Sequence, residues 1–405
     1  MKKLIIPISI LLSLPVFSAE YLVKLKESKT LLNKNLNIQS TFELSFGKFS
    51  VININPDQLS QLKSYDEVEY IEPNQVFSVD TIQDTEYEKQ WGLKNNGKNS
   101  GNIFFPGIKG MDINAEKAWT ITTGSKEVKI AVIDTGVDYQ HEDLKENIMI
   151  NESEFNGQEG VDDDGNGYID DIYGYDFANN DNDPMDGHGH GTHCAGVIGA
   201  THNDIGIRGV MSKVEILPIQ FLTVSGQGTL EGAIKAIDYA TSRGVNIMSN
   251  SWGGGEPSKA LTEAIAKAEK AGILFVAAAG NSNSNNDIKP TAPANTQINN
   301  VISVGAMDGK AKRANFSNYG EKTVHVFAPG VNIYSTVQNN KYKKMSGTSM
   351  ACPFIAGVAG LIMANEPNLT YKEVKSRIMT HAKEGNKLKD YSVSGFVDSF
   401  QSLEH

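Results

Sequence analysis

Short, largely apolar segments alternating with amphipathic ones constrain this chain more than any other feature. Val128 to Ile133, Val214 to Phe221, Val245 to Met248, Ile273 to Ala278 and Val301 to Val304 are too short for helices and read as strands. Leu230 to Ser242 and Lys259 to Lys270 lie among them and carry apolar residues at helical spacing. Strands that are apolar on both faces, interleaved with such helices, predict an α/β domain on a doubly wound, mostly parallel sheet with helices on both faces. Ligands in such sheets sit beyond the carboxyl ends of the strands. The residues just after each strand are therefore the place to look for chemistry.

The chain before that domain reads differently. Lys2 and Lys3 precede an apolar run from Leu4 to Phe17, which is shorter than the ~20 residues of a spanning helix. With the small residues Ser18 and Ala19 behind it, this is the pattern of a secretory signal peptide, residues 1–19. Tyr21 to Leu25, Phe49 to Ile54 and Val68 to Ile71 alternate as strands, and Pro56 to Leu62 reads as a helix. Residues 20–80 thus form a small α+β unit, marginal by itself at that size. The third division is residues 81–405. The expected destination is outside the cytoplasm, extracellular or periplasmic. No other stretch is expected to cross a membrane.

Composition excludes some functions. The formal charge is −11, and nearly all of it falls after residue 80. A binder of nucleic-acid phosphates needs a cationic face, so no nucleic-acid partner is expected. Two cysteines, Cys194 and Cys352, rule out a disulfide-stapled scaffold.

Several chemistry-bearing residues follow the strands. Asp134-Thr135-Gly136 follows the first, Ser249 to Gly254 the third and Gly280-Asn281 the fourth. Gly189-His190-Gly191-Thr192-His193 and Ser346-Gly347-Thr348-Ser349-Met350, opening a helix to about Asn365, can meet them. Taken singly, a serine at a helix start is a cap and an aspartate after a strand is turn chemistry. Together they make a site for acyl transfer. Ser349 is the nucleophile, His190 its base and Asp134 the group that orients the imidazole. The Asn281 amide and the Ser349 backbone N–H are the oxyanion donors. The chain order is aspartate, histidine, serine, on a parallel sheet. α/β-Hydrolases run serine, acid, histidine, and chymotrypsin-like enzymes histidine, aspartate, serine; the present order is that of subtilisin.

The motifs carry the resemblance further. Ala131 to Gly136, His190 to Gly196, Gly347 to Ala351 and Ala278 to Asn281 resemble the four active-site segments of the subtilisin-like serine proteases, nearest the thermitase and proteinase K side. The resemblance covers nearly everything after residue 19. It implies that His190 rather than His193 is the base. It also makes Ser251, Trp252 and Gly253 one wall of a peptide cleft, and Ala278, Ala279 and Gly280 the other. Residues 20–80 resemble the family's propeptide, an intramolecular chaperone and inhibitor, with self-cleavage expected between Phe77 and Glu86. A calcium site is implied at Asp143, with Thr201, Asn203, Ile205 and Ile207 from the loop after the histidine helix and Asp84 from the mature N-terminal segment.

A second calcium loop comes from spacing. Asp162, Asp164 and Asn166 occupy positions 1, 3 and 5 of an EF-hand-like loop, Gly167 stands at 6, Tyr168 offers its carbonyl at 7, and Asp170 is at 9. Position 12 is Tyr173, so the last ligand stays open, with Asp171 one candidate. Asp181, Asp183 and Asp186 form a third acidic group. The expected protein is a secreted, self-processing, monomeric serine endopeptidase with structural Ca2+ and polypeptide substrates. The alternative is a silent relative acting as a calcium-dependent binding module. Lys289 to Ala294 near the specificity pocket holds no acid and has Thr291 at its base, which predicts a broad or apolar preference.

Overall fold

The computed structural model describes residues 19–27, 29–31, 36–74, 84–100 and 106–404. Residues 1–18 of the expected signal peptide and the first part of the expected cleavage region lie outside them, whereas Ala19, the expected last residue of the signal, is described. The chain divides into two units, 1–81 and 82–405.

The first unit holds strands β1 (Ala19–Leu25), β2 (Asn37–Leu44), β3 (Gly47–Ile54) and β4 (Val68–Pro73), with helix α1 (Pro56–Leu62). The sheet order is β2-β3-β1-β4. Alternation decides which faces are buried: Val23, Leu25, Ile52 and Ile54 point into a small core with Leu62 and Val68. Asn55 starts α1 by a capping box with Gln58. Edge strand β2, which sequence alternation did not reveal, is exposed along its whole length and shows Ile38, Phe42 and Leu44 to solvent.

The second unit runs α2 (Ala115–Ala118), β5 (Gly124–Asp134), α3 (Glu152–Phe155), β6 (Tyr175–Asp176), α4 (His190–Gly199), β7 (Lys213–Gln220), α5 (Leu230–Ser242), β8 (Ile247–Asn250), α6 (Lys259–Lys270), β9 (Leu274–Ala278) and β10 (Val301–Met307). It continues with β11 (Val326–Pro329), β12 (Ile333–Val337), β13 (Lys341–Met345), α7 (Thr348–Asn365), α8 (Tyr371–Thr380) and α9 (Ser399–Leu403). The expected parallel sheet is present, with seven strands in the order β11-β10-β9-β8-β5-β7-β6. Strand β12 pairs antiparallel with β13 outside it.

Strand β5 shows why the sheet has two covered faces. Val128, Ile130 and Val132 pack into one apolar cluster with α4 and α7, while Ala131 and Ile133 pack into another with α5 and α6. The chain steps from β5 to β7 on one side and then returns to place β8 on the other. That reversal opens a crevice at the carboxyl ends of the strands. Helices α5 and α6 span the residues their periodicity indicates, capped by Thr229 and Ser258.

Strand β8 lies two residues further along than expected, at Ile247–Asn250. Polar Ser249 and Asn250 looked like a loop, but both are buried in the sheet, where Asn250 Nδ2 donates to Met248 O and Val276 O. Contrary to the expectation of no further spanning stretch, α7 is long and apolar enough to cross a membrane by length and composition. Its apolar surface is instead almost wholly buried in the domain.

Candidate active site

Asp134 ends β5 and is buried. His190 opens α4 and Ser349 lies in the first turn of α7. Close packing brings α4 to the end of β5. A Cβ on Gly191 would stand 2.0 Å from Gly136 O, so only glycine permits this approach. Gly189, just before α4, has φ +97°, a left-handed turn that side chains other than glycine resist.

His190 Nδ1–H donates to Asp134 Oδ1 at 2.7 Å, and the Thr135 N–H donates to the same oxygen at 2.8 Å. Asp134 Oδ2 is buried with no protein partner among the described residues. Its negative charge is thus only partly answered by donors and is free to stabilise an imidazolium. Burial alone would push His190 down, but the Asp134 carboxylate, helped by Asp186, holds it above its ordinary value. With Nδ1 occupied, Nε2 is the nitrogen left to accept a proton. His193, by contrast, is wholly buried, bonds backbone carbonyls, and is pushed down to about 4 by burial.

Ser349 Oγ donates to Ser251 O at 3.0 Å, and Ser251 Oγ donates to Ser349 O at 2.8 Å. Asn281 Oδ1 accepts from Thr348 N (2.8 Å) and Thr348 Oγ1 (3.0 Å). This fixes the amide so that Nδ2 faces away from those donors. The Ser349 amide belongs to the first helical turn, whose N–H groups have no intrahelical acceptor. A Cβ on Gly347 would stand 3.6 Å from both Asn281 Nδ2 and Ser349 N, so the two nitrogens flank one spot at the start of α7.

The loop carrying Asn281 has its own clamp. Buried Asn318 accepts from Ser282 N (2.9 Å) and Ser284 N (3.0 Å), and donates to Ala279 O (3.1 Å) and Asn286 Oδ1 (3.0 Å). Sequence reading missed this residue, because the contact spans a long separation along the chain.

Asp134's neighbour Thr135, His190, Ser349 and Asn281 all line one cleft of about 1080 Å³. Ser251, Trp252, Gly253, Ala278 and Gly280 line it as expected, as does Thr291. Ala279 does not. It is wholly buried, its N–H bonds Val304 O, and its carbonyl accepts from Asn286 and Asn318. Glu256 supplies an acid to the cleft lining that the segment Lys289 to Ala294 lacks. Cys194 and Cys352 are free and buried beneath the site. Burial pushes the Cys352 thiol up to about 11 and pushes Cys194 up as well, which makes both poor nucleophiles.

The acidic groups separate into different kinds. Asp143 and Asp84 come together with Asn203. Asp143 Oδ2 accepts from Ile207 N and Tyr342 Oη (each 2.9 Å), while Oδ1 is buried with no partner among the described residues. Burial, with Asp84 adding repulsion, pushes Asp143 up to about 6. Asp84 pairs with Arg208 and accepts from Asn203 N and Asp204 N. Thr201 donates from N and Oγ1 to Asp143 O, and Asn203 Oδ1 accepts from Ile205 N. An oxygen-rich pocket with an orphaned carboxylate oxygen fits a hard cation.

In the second loop, carboxylate oxygens of Glu154, Asp162 and Asp164 lie within 4.8 Å of one another. Glu154 was not foreseen, because it precedes the Asp/Gly turn and joins it only when the chain folds back. Asn166 Nδ2 donates to Asp164 Oδ2 at 3.0 Å. Asp170 is turned away, accepting from Gly160 N at 2.9 Å, and the Tyr168 ring packs on Tyr175, Phe177 and Tyr239. Asp171 is not the open ligand. Its carboxylate is buried and satisfied by Arg243, Tyr239, Asn151 and Asn166. Asp186 is likewise no ion ligand. Its Oδ1 accepts from Thr135 Oγ1, His188 N and Gly189 N, and its Oδ2 from Thr192 N and Oγ1.

Comparison with known proteins agrees with this geometry. Subtilisin-like protease 1 of Plasmodium berghei (strain Anka) is 38% identical over 308 residues, covering 70% of this chain and 51% of that protein. The chain thus spans about half the length of that relative. The thermophilic serine proteinase of Bacillus sp. (strain AK1) is 36% identical over 341 residues, covering 84% and 73%. Thermitase of Thermoactinomyces vulgaris is 35% identical over 294 residues, covering 72% and 94%. A solved cold-adapted subtilisin-like serine proteinase superposes with a TM-score of 0.59 at 30% identity, covering 76% of this chain and 97% of that one. The model of the subtilase family matches residues 125–396, a span that begins on β5 and runs past α7. By that match and these relatives, the chain belongs to the subtilase family.

Proposed function

We propose that the chain is a secreted serine endopeptidase, made as a self-processing zymogen, that cleaves peptide bonds through an acyl-enzyme. The observation that carries this is the 2.7 Å bond from His190 to Asp134 at a cleft that also holds Ser349 and Asn281. A relative and a solved structure named as serine proteinases support it.

A peptide enters as an added strand between Ser251–Gly253 and the segment at Ala278 and Gly280. On binding, Ser349 Oγ turns from Ser251 O to His190 Nε2, the kind of tightening expected between free and substrate-bound sites. Nε2 takes the hydroxyl proton as Oγ forms its bond to the scissile carbonyl carbon. Asn281 Nδ2 and Ser349 N–H hold the resulting oxyanion. His190 then passes the proton to the leaving amine as the C–N bond breaks. Water, deprotonated by the same nitrogen, hydrolyses the ester and restores Ser349.

The first unit serves as the propeptide. Its small core and the exposed Ile38, Phe42 and Leu44 suit a unit completed by binding a larger surface. Calcium supplies structural stability. Asp143, Asp84 and Asn203 with carbonyls of Thr201, Ile205 and Ile207 hold one ion, and Glu154, Asp162, Asp164 and Asn166 hold another.

The test is Ser349→Ala. It abolishes hydrolysis, by about 10⁶-fold as for the nucleophile of subtilisin itself, and leaves the first unit covalently attached. Complete processing of that purified variant with no other protease present would refute the mechanism. The silent-module alternative predicts that folded wild-type protein takes no fluorophosphonate label on Ser349.

A further inference from the structure

Two imidazoles share the cleft. The rings of His188 and His190 have centroids 6.2 Å apart at 68°. His188 is exposed, and its ring nitrogens have no hydrogen-bond partner among the described residues. Gly226, which lines the same cleft as His188, stands beside this ring, with the place of its absent Cβ 3.7 Å from His188 Nε2. The backbone between the two rings is held, since His188 N and Gly189 N both donate to Asp186 Oδ1 at 2.8 Å. The spacing of the rings is therefore built into the loop.

His190 itself has the form of a metal ligand. Its Nδ1–H is given to a carboxylate, which fixes the tautomer and leaves the Nε2 lone pair in the cleft; metal-bound histidines are oriented in the same way. Asp134 and Asp186 both impose a negative potential on the ring, which favours a cation beside it. A zinc ion sits about 2.0–2.1 Å from each nitrogen, so two imidazoles on one ion have ring centres roughly 5–6 Å apart. The observed 6.2 Å lies just beyond that range. Imidazole selects zinc and copper over calcium and magnesium, which take oxygen ligands.

We propose that His188 and His190 form an inhibitory site for a divalent transition metal, with Zn2+ as the ion tested. The bound ion takes the Nε2 lone pair that must accept the Ser349 proton, and hydrolysis stops until the ion leaves. Water from the open cleft completes the coordination. The inhibitory consequence rests on the peptidase reading; the site itself does not.

Two measurements test it, both in saturating calcium. Calorimetry titrates Zn2+ into the wild-type protein and into the same protein carrying His188→Gln or, as a second choice of side chain, His188→Asn. One zinc site weakens in both variants by at least the ~10–100-fold that loss of an outer-shell partner costs. Zinc bound by the acidic loops remains in all three proteins and cancels. In the second measurement, Zn2+ inhibits wild-type cleavage of a chromogenic peptide. His188→Gln cleaves the peptide and needs at least tenfold more zinc for half inhibition, while Mg2+ has no effect on either. Equal zinc binding with and without His188, or unchanged zinc sensitivity in His188→Gln, overturns the site. His188-dependent zinc binding in a wild-type protein that cleaves nothing keeps the site and refutes the peptidase reading instead.

Discussion

Asp143 and Asp186 make an instructive pair. Each is an aspartate with almost no exposed surface, and each is bonded to the histidine helix or the loop that follows it. The acids around Asp186 invite a reading as a calcium ligand, and the family resemblance implies the same of Asp143. Their partners differ. Asp186 meets hydroxyl and amide donors on both oxygens, so its charge is spread over hydrogen bonds that fix Thr135 and the first turn of α4. Asp143 has one oxygen bonded and one buried with nothing among the described residues to meet it. Buried polar atoms are paired as a rule, so the orphaned oxygen of Asp143 leaves room for a further ligand, whereas the saturated carboxylate of Asp186 acts as a structural clamp. Local acidity does not separate the two cases.

The largest effect should come from the clamp. Asp186→Ala strips an acceptor from His188 N, Gly189 N, Thr135 Oγ1 and both donors of Thr192, next to His190. Displacement of such a group by about 1 Å costs roughly 10²-fold in rate. We expect kcat/KM to fall by about that factor, with no change in the calcium concentration that half-restores thermal stability. A shifted calcium midpoint would place Asp186 among the ion ligands and dissolve the contrast with Asp143.

Calcium removal acts on the other member. An ion bound only by the folded state contributes ~2.7 kcal/mol at a hundredfold excess over Kd. At about 2–4 °C per kcal/mol, loss of one such ion lowers Tm by roughly 5–10 °C, and chelating both sites of Ser349→Ala, used to prevent self-digestion, lowers it by about twice that. Asp143→Asn in that background should lose about half of this response, and adding Glu154→Gln should remove the rest. A Tm indifferent to chelator would discard both ion sites. A full response surviving in Asp143→Asn would assign it to the Glu154 loop alone.

The readable parts of this molecule are those with local causes. Helices α1, α5 and α6 have caps and periodic faces that mark their ends. Strand β5 is apolar on both sides and led directly to Asp134. The motifs around His190, Ser349 and Asn281 were legible because they are short and contiguous. What was hidden depends on chain segments meeting. Strand β8 was displaced because Ser249 and Asn250 look solvent-exposed until Asn250 finds carbonyls in the sheet. Glu154 joins Asp162 only through a fold-back, and Asn318 reaches the Asn281 loop from far along the chain. Ala279 was assigned to the cleft wall by contiguity with Ala278 and Gly280, although its neighbours in space lie within the domain. Asp186 did carry a local signal, an aspartate just ahead of a helix, but the surrounding acids obscured it.

The subtlest prediction concerns the field that Asp186 places on His190. Burial favours the neutral imidazole, and the carboxylates of Asp134 and Asp186 reverse this, so His190 titrates above its ordinary value. The neutral form is the base, so kcat/KM rises as pH climbs through that value. Asp186→Asn removes one negative charge while retaining a side-chain oxygen that can still accept from Thr135, His188 and Gly189. Less negative potential means easier deprotonation, so the acid limb of the pH profile should move to lower pH. The shift should be smaller than loss of Asp134 would cause, because Asp134 is the stronger influence on the ring. A clamp acting by shape alone would lower the plateau and leave the limb in place. An acid limb at unchanged pH in Asp186→Asn would therefore confine Asp186 to shape and leave Asp134 as the charge that sets the base.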